Sequence, residues 1–120
     1  MLSKHGLSLD DANRILAAGL SAAARVRPLS IAVVDEAGVL LAFARMDGAR
    51  GYTVDLALQK ARSSALVGVA SGLLAKAGAA GGGAGGLPVV HDGQCVGAVG
   101  VSGTSEAEDV AVAGEAIAGV

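Results

Sequence analysis

The chain has 120 residues, of which 9 are Lys or Arg and 11 are Asp or Glu, so its formal net charge is −2. Because the basic residues are scattered, the chain lacks the electrostatic footprint of a nucleic-acid-binding protein, and its single cysteine, Cys95, excludes an intramolecular disulfide. Hydrophobic residues make up 52% of the sequence, but no apolar run is long enough to span a bilayer. The N-terminus, Met1–Gly6, lacks the apolar region of a secretory signal, and we therefore expect one cytoplasmic domain over residues 1–120.

The first predicted elements are a helix and a β-hairpin. Ser8 is followed three residues later by Asp11, which is a capping pattern, and apolar residues then recur at helical spacing, which predicts a helix over Ser8–Arg25. The run Ser30–Asp35 is apolar and rich in β-branched residues, and apolar residues alternate with their neighbours in Val39–Met46. These two strands, with a glycine-containing break between them, predict the first hairpin.

A second helix is predicted after the first hairpin. Thr53 is its predicted N-cap, and the helix extends to about Gly68, from which a broken continuation can reach Lys76. The segment Ala77–Gly86 contains only alanine and glycine, so it predicts a loop that is either mobile or tightly apposed to the rest of the domain. The apolar stripe predicted for this helix consists of Val54, Leu58, Ala61 and Ala65.

The last third of the chain predicts a second hairpin and a C-terminal helix. Leu87–His91 and Gln94–Ser102 are apolar segments joined by Asp92–Gly93, and Asp-Gly between two strand-like runs favours a type I′ turn. Ser105 and Glu108 form a capping box for the helix. The order of helix, hairpin, helix, hairpin and helix indicates an α+β fold, in which helices cover one face of an antiparallel sheet.

Aromatic side chains are almost absent, since the chain contains only Phe43 and Tyr52 and no tryptophan. A core made of Ala, Val, Leu and Gly has thin side chains, so the burial of hydrophobic surface between subunits becomes an attractive supplement to folding. We therefore expect a homodimer or a larger homo-oligomer.

Three groups of residues carry a resemblance to a known family. They are Ser30–Asp35 with Gly38–Gly48; Lys60–Arg62; and Leu87–Pro88 with Asp92–Gly93, Val96–Gly103, Asp109 and Ala113–Gly114. Together they resemble the signatures of the GlcG/HbpS-like family, which includes haem-binding and haem-sensing proteins and the C-terminal domain of PduO-type adenosyltransferases. The resemblance implies an antiparallel sheet flanked by helices, homo-oligomers, and a small ligand that is sometimes a tetrapyrrole such as haem. Family members usually carry a longer, partly apolar loop where this chain has Ala77–Gly86.

The two histidines are the first candidate ligand residues. His91 lies at the end of a strand beside a turn, where an imidazole can ligate haem iron or shuttle a proton. The alternative for His91 is a solvated side chain at the tip of a hairpin. His5 can reach into a pocket as an axial ligand, or it is simply part of a flexible terminus. No cluster of metal-ligating side chains is predicted.

Charged residues near the first hairpin and in the second helix form the next group of candidates. Lys60 and Arg62, together with Arg45 or Arg50, can hold the carboxylates of a haem or of a small organic acid. The alternative is that the lysine and arginine of the helix lie on a solvated face. Asp47 is a candidate general base if it is desolvated near Lys60, although such an aspartate more often fixes a turn through backbone amides.

Two further residues complete the ligand-binding candidates. Met46 is a soft donor that can touch a metal, but a single methionine more often fills the core. Thr53 is a candidate ligand contact as well as a cap. The glycines in the last predicted strand lie inside a strand and are no dinucleotide fingerprint, so we expect them to permit the close approach of another backbone or a ligand; they are Gly97, Gly100 and Gly103.

Two functions are predicted from these residues, together with a third possibility. The leading one is a homo-oligomeric small-ligand-binding protein whose ligand is haem or a related tetrapyrrole, as the family resemblance implies. The alternative is a small cofactor-free enzyme of the isomerase, lyase or cyclase type, which uses Lys60, Asp47 or His91 in proton transfer. A structural partner subunit of another enzyme is the third reading of the same fold.

Overall fold

A computed structural model of the protein describes residues 6–78 and 82–120. The elements in chain order are α1 (Leu9–Ala23), β1 (Ser30–Asp35), β2 (Leu40–Arg45), α2 (Tyr52–Val67), α3 (Ser71–Lys76), β3 (Gly86–His91), β4 (Gln94–Ser102) and α4 (Glu106–Ile117). The predicted α+β fold with two hairpins and flanking helices is therefore confirmed. The second predicted helix ends at Gly68, whose φ of 79° is left-handed, and its continuation to Lys76 is the separate short helix α3.

The four strands form one antiparallel sheet in the order β2-β1-β4-β3, so the two hairpins meet along β1 and β4. Ser30 at the start of β1 is paired with Arg45 on one side and with Ser102 on the other, whereas Asp35 at its end is paired with Gly97. The turns of both hairpins therefore lie at one end of the sheet, which we call the turn end. The opposite end, at Ser30, Arg45 and Ser102, is the open end.

Helices cover both faces of the sheet, and the prediction that only one face is covered is wrong. On one face α1 and α4 pack on Ile31 and Val33, and on the other face α2 packs on Ala32 and Val34. These four residues of β1 are completely buried. An uninterrupted apolar run is typical of a strand that is buried on both faces, because alternating side chains point to opposite sides of the sheet.

The helix α2 lies very close to the sheet because small residues separate the two. Ala57 and Ala61 are completely buried, and a methyl group added at Gly100 of β4 would collide with the carbonyl oxygen of Ala57. The expected close approach of another backbone is confirmed at this glycine. The predicted stripe of α2 is correct at Ala61 and Ala65, but Val54 and Leu58 are only half-buried, since the narrow gap to the sheet accepts alanine better than larger side chains.

Two of the predicted caps hold their helices as expected. Ser8 Oγ accepts the backbone N–H of Asp11 at 3.0 Å, and Ser105 Oγ accepts that of Glu108 at 3.2 Å. The hydroxyls of Thr104 and then Ser105 donate to the carboxylate of Glu108 and lower its pKa, because they stabilise the charged form. The capping box predicted for the C-terminal helix is therefore confirmed.

The predicted cap at Thr53 is wrong. The helix α2 begins at Tyr52 with Gly51 in the N-cap position, and no side chain in the described part of the protein caps it. Thr53 is instead 1% exposed and occupies the first helical turn, where its Oγ1 donates to the carbonyl of Arg50 at 2.6 Å. It also accepts a hydrogen bond from Ser30 Oγ at 2.8 Å, so its hydroxyl ties the start of α2 to the sheet.

Candidate functional site

Lys60, in the middle of α2, points into the interior of the protein. Its Nζ donates to the carbonyl of Val101 at 2.9 Å and to Asp109 Oδ2 at 3.3 Å, and the two charged side chains are 5% and 3% exposed. The other carboxylate oxygen of Asp109 accepts the N–H of Thr104 at 3.1 Å. The reading of Lys60 as part of a solvated face is therefore wrong. Its carboxylate partner is Asp109, whereas Asp47 is exposed and does not meet the condition of desolvation near Lys60 on which its candidacy as a general base depends.

The environment of Asp109 affects its proton affinity in two opposing ways. Burial raises the pKa of this carboxyl group, because a carboxylate is poorly solvated between α2, β4 and α4. The charge of Lys60 and the N–H donors of the preceding loop lower it, but the pKa remains above the ordinary value of 3.8. The pair holds three elements together, and each of its charged groups depends on the other because neither is hydrated by bulk water.

The described part of the Gly-rich segment covers this ion pair. Gly86 N–H donates to Ser71 Oγ at 2.8 Å, and this hydroxyl donates to the carbonyl of Gly83 at 2.5 Å. A methyl group added at Gly85 would lie 3.1 Å from Lys60 Nζ. Residues 82–86 are therefore tightly apposed to the domain, which was one of the two predictions for Ala77–Gly86. Glycine is needed for this approach, and the segment shields the lysine from solvent.

The outer side of α2 carries an open groove that continues on to the turn of the first hairpin. It consists of two adjoining depressions of about 320 and 240 Å³, which share Leu58 and Arg62. We call the two together the α2 groove. The remaining lining residues are Asp55, Gln59, Ser63 and Leu66 in the larger depression, and Ala37, Gly38, Val39 and Leu40 in the smaller one.

The α2 groove combines exposed apolar side chains with one cation. Leu66 is 64% exposed and Val39 is 60% exposed, which is unusual for residues of this size. Arg62 lies where the two depressions meet, and its guanidinium makes no hydrogen bond or ion pair with any residue that the structure describes. A flat apolar ligand with an acidic substituent would find complementary chemistry in this groove.

The residues at the end of the first hairpin lie at the open end, away from the α2 groove. Arg45 Nη1 donates to the carbonyl of Ala49 at 2.9 Å and so closes the loop that follows β2. Met46 is half-buried and packs against the core formed with α1 and α4, which agrees with the core-filling reading. Three of the predicted site residues, Arg45, Met46 and Thr53, thus stabilise this end of the domain.

His91 lies at the turn end of the sheet. It is half-buried, and its Nε2 is 3.6 Å from Asp92 Oδ2. Its ladder partner Gln94 is eight residues from Ser102 at the open end, so roughly 25 Å of sheet separates His91 from Arg45. The structure does not bring the predicted catalytic residues Lys60, Asp47 and His91 together. The other predicted axial ligand, His5, lies outside the described residues.

Residues 6–78 and 82–120 contain no group of three or more His, Cys, Asp or Glu side chains that could hold a metal ion. The thiol of Cys95 donates to the carbonyl of Gly97 at 3.3 Å and is half-buried beside the C-terminal end of α2. No helix in the described ranges combines the length and the apolar character that a membrane crossing requires.

Sequence reasoning missed two features of these sites. It quoted Asp109 only as a motif residue, and the pairing with Lys60 joins positions 49 residues apart, which no local pattern reveals. It also missed the α2 groove, although Leu66 offered a signal: it is a large apolar residue outside the predicted stripe of the helix.

Comparison with known proteins places these features in a family context. A family model described as haem degrading protein HbpS-like matches residues 7–118. The GlcG protein of Escherichia coli K12 is 38% identical, over an alignment that covers 85% of each chain.

Solved structures agree with this match. The crystal structure of HbpS is similar with a TM-score of 0.90 and 31% identity, over 100% of this chain and 94% of that one. A crystal structure of a PduOC:heme complex is similar with a TM-score of 0.86 and 27% identity, over 96% of this chain and 95% of that one. The ORFY protein of Klebsiella pneumoniae gives a TM-score of 0.88 at 27% identity, over 98% and 92% of the two chains.

Proposed function

This chain belongs to the HbpS-like family, and from that premise we propose that it binds haem or a related tetrapyrrole. The observation that carries the proposal is the haem complex of PduOC, a protein of the same fold with 27% identity to this chain. Fold alone would not support a ligand, because one fold can serve many functions. A second, independent support is a surface on this chain with suitable chemistry.

We place the ligand in the α2 groove. Its apolar walls at Leu66 and Val39 suit the face of a macrocycle, and the guanidinium of Arg62, which has no partner among the described residues, suits a propionate group. The other predicted ligand residues are less suitable, because Arg45 is bonded to a backbone carbonyl and Thr53 is buried. Arg62 is therefore the predicted ligand-binding residue that we retain as the main contact.

A neutral imidazole nitrogen is a common haem ligand, and His91 is the one histidine in the part of the chain that the structure describes. It lies on the edge strand β3, whereas the smaller depression of the α2 groove borders β2 at the opposite edge of the sheet. Its neighbour Val90 is paired with Cys95, whose thiol contacts Ala65 of α2, so the side chain of His91 points to the other face. Replacement of His91 by Ala should therefore leave the Soret maximum of haem bound in the α2 groove unchanged, and a shift would contradict the placement of the ligand in this groove.

Titration of the purified protein with haemin tests the proposal. The wild-type protein should give a saturable Soret shift at micromolar haemin. Leu66→Glu places a charge on the apolar wall and should weaken binding about tenfold or more. Arg62→Ala should weaken it by about tenfold through the loss of a charge-assisted hydrogen bond.

A matched control is Leu9→Glu, which changes a leucine of similar exposure, 57%, on α1 across the sheet. This variant should bind haemin as the wild-type protein does. The absence of a saturable shift in the wild-type protein would contradict haem binding. Equal binding by Leu66→Glu and Leu9→Glu would contradict the placement in the α2 groove.

The proposal also includes a homo-oligomer with a cytoplasmic location. Exposed apolar side chains outside the α2 groove support self-association, since such patches on a monomer are usually functional; they are Val67, Leu73 and Val90. Light scattering of the purified protein tests this, and a monomer at high micromolar concentration would contradict it. The alternative enzyme has less support, because Lys60 is buried in an ion pair and lies apart from the exposed Asp47.

A further inference from the structure

The open end of the sheet contains a second cavity, of about 230 Å³, which the proposed function does not use. Three loops converge on it: the connection before β1, the connection between β2 and α2, and the loop after β4. Its lining residues are Arg27, Pro28, Gly48, Arg50, Tyr52, Thr53 and Gly103. Two of these side chains are cationic and none is acidic, so the cavity is a local concentration of positive charge.

The two arginines of this cavity are available to a ligand. Neither Arg27 nor Arg50 forms a hydrogen bond or ion pair with any residue in the described ranges. The charge of Arg27 contributes only weakly to the lowered pKa of Glu108, and an oxygen of this carboxylate already accepts hydrogen bonds from two hydroxyls. Arg45, which also lies at this end, is outside the lining and is bonded to a backbone carbonyl.

Buried hydrogen bonds hold the wall that carries Arg50. Ser30 Oγ donates to Thr53 Oγ1, and this hydroxyl donates to the carbonyl of Arg50. Both hydroxyl-bearing residues are at most 1% exposed, so the loop is anchored to β1 without water. The arginine therefore projects from a fixed backbone, which reduces the conformational entropy lost when a ligand binds.

The floor of the cavity depends on glycine. Gly103 has a φ of 151°, and a methyl group added there would lie 2.6 Å from the Cα of Leu29. Gly48 has a φ of 87° and approaches the ring of Pro28. Larger residues at either position would fill or deform the cavity. The uncapped start of α2 adds positive partial charge to the same wall.

We propose that this cavity binds a small organic anion through a phosphate or carboxylate group, at a site distinct from that of the tetrapyrrole. The guanidinium groups of Arg27 and Arg50, which have no partner in residues 6–78 and 82–120, can each form a bidentate contact with such an oxyanion. The volume of about 230 Å³ is below the usual range for pockets that hold drug-sized ligands, so the expected ligand is a compact molecule such as a phosphate monoester or a dicarboxylate.

Calorimetric titration with inorganic phosphate and with succinate, at constant ionic strength, tests this site. The wild-type protein should bind one or both anions, and the preferred one identifies which oxyanion chemistry the cavity selects. Arg27→Ala and Arg50→Ala should each raise Kd about tenfold or more, because each removes a charged donor. Arg50→Lys should keep only part of the wild-type affinity for the anion, since an ammonium group lacks the forked pair of donors of a guanidinium.

The matched control is Arg14→Ala, which removes an exposed arginine of α1 whose partner is Asp10. This variant should bind both anions normally. Absence of binding at millimolar phosphate and succinate, or equal effects of Arg14→Ala and Arg50→Ala, would overturn the proposal. Haemin titration of Arg27→Ala and Arg50→Ala should match the wild type, and weaker haemin binding by them would show that the cavity is not a separate site.

Discussion

Replacement of Lys60 by methionine is the sharpest test of the buried ion pair. Methionine preserves an unbranched chain that fits beneath the Gly-rich segment, but it removes both polar contacts of Nζ, with Val101 and with Asp109. The carboxylate keeps the N–H of Thr104 but loses its countercharge in a site where its side chain is 3% exposed. Removing one partner of a buried pair costs about 3–5 kcal/mol, because an uncompensated charge remains. This cost is a large share of the stability of an ordinary domain.

The cost of Lys60→Met should depend on pH. In the wild-type protein the pKa of Asp109 is raised above 3.8, so the folded state binds this proton more tightly than the unfolded state does. Stability is therefore lost from this group as the pH rises through the folded pKa. Without the lysine the folded pKa rises further, and the destabilisation should be full at about pH 7 and shrink as the pH falls towards 3.8.

Urea unfolding of the wild type, Lys60→Met, Asp109→Leu and the double variant measures these effects. The two single variants should sum to a loss that exceeds that of the double variant by about 2 kcal/mol, since the double variant buries no unpaired charge. Lys76→Met changes an exposed lysine and serves as the control. A loss below about 1 kcal/mol for Lys60→Met, independent of pH and additive with Asp109→Leu, would refute the reasoning.

Two further predictions concern the fold. Gly100→Ala should destabilise the protein by about 3 kcal/mol in urea unfolding, because the added methyl group meets the carbonyl of Ala57. Gly114→Ala adds a methyl group that contacts no described atom, and it should stabilise α4 by about 0.5–1 kcal/mol. Equal effects of the two variants would contradict the close packing of α2. Ser105→Ala should lower the free energy of unfolding by about 1 kcal/mol through the loss of the cap of α4. The exposed Ser21→Ala should leave it within about 0.5 kcal/mol, and a similar loss in both variants would argue against the capping contribution.

Local sequence patterns determine the secondary-structure elements of this protein. The capping pairs at Ser8 and Ser105 and the Asp92–Gly93 turn determine conformation over a few residues, so the helices and hairpins follow from the chain alone. The apolar run of β1 also indicates that both faces of the sheet are covered, since such a run is typical of a strand that is buried on both sides. The segments that resemble GlcG and HbpS identified the family for the same reason, because they are contiguous in sequence.

The candidate sites depend on contacts between distant parts of the chain, and only the tertiary structure decided them. The partner of Lys60 is 49 residues away, and the cavity at Arg27 and Arg50 exists because three loops meet at the open end of the sheet. Antiparallel pairing also places His91 and Arg45 at opposite ends of the sheet, although in the sequence each residue is the last one of a hairpin strand. Sequence therefore determined the elements and the family of this protein. Tertiary packing decides whether a charged side chain is buried in an ion pair, as Lys60 is, or accessible to a ligand, as Arg27 and Arg50 are. Desolvation and pairing depend on neighbouring residues that local sequence patterns do not specify.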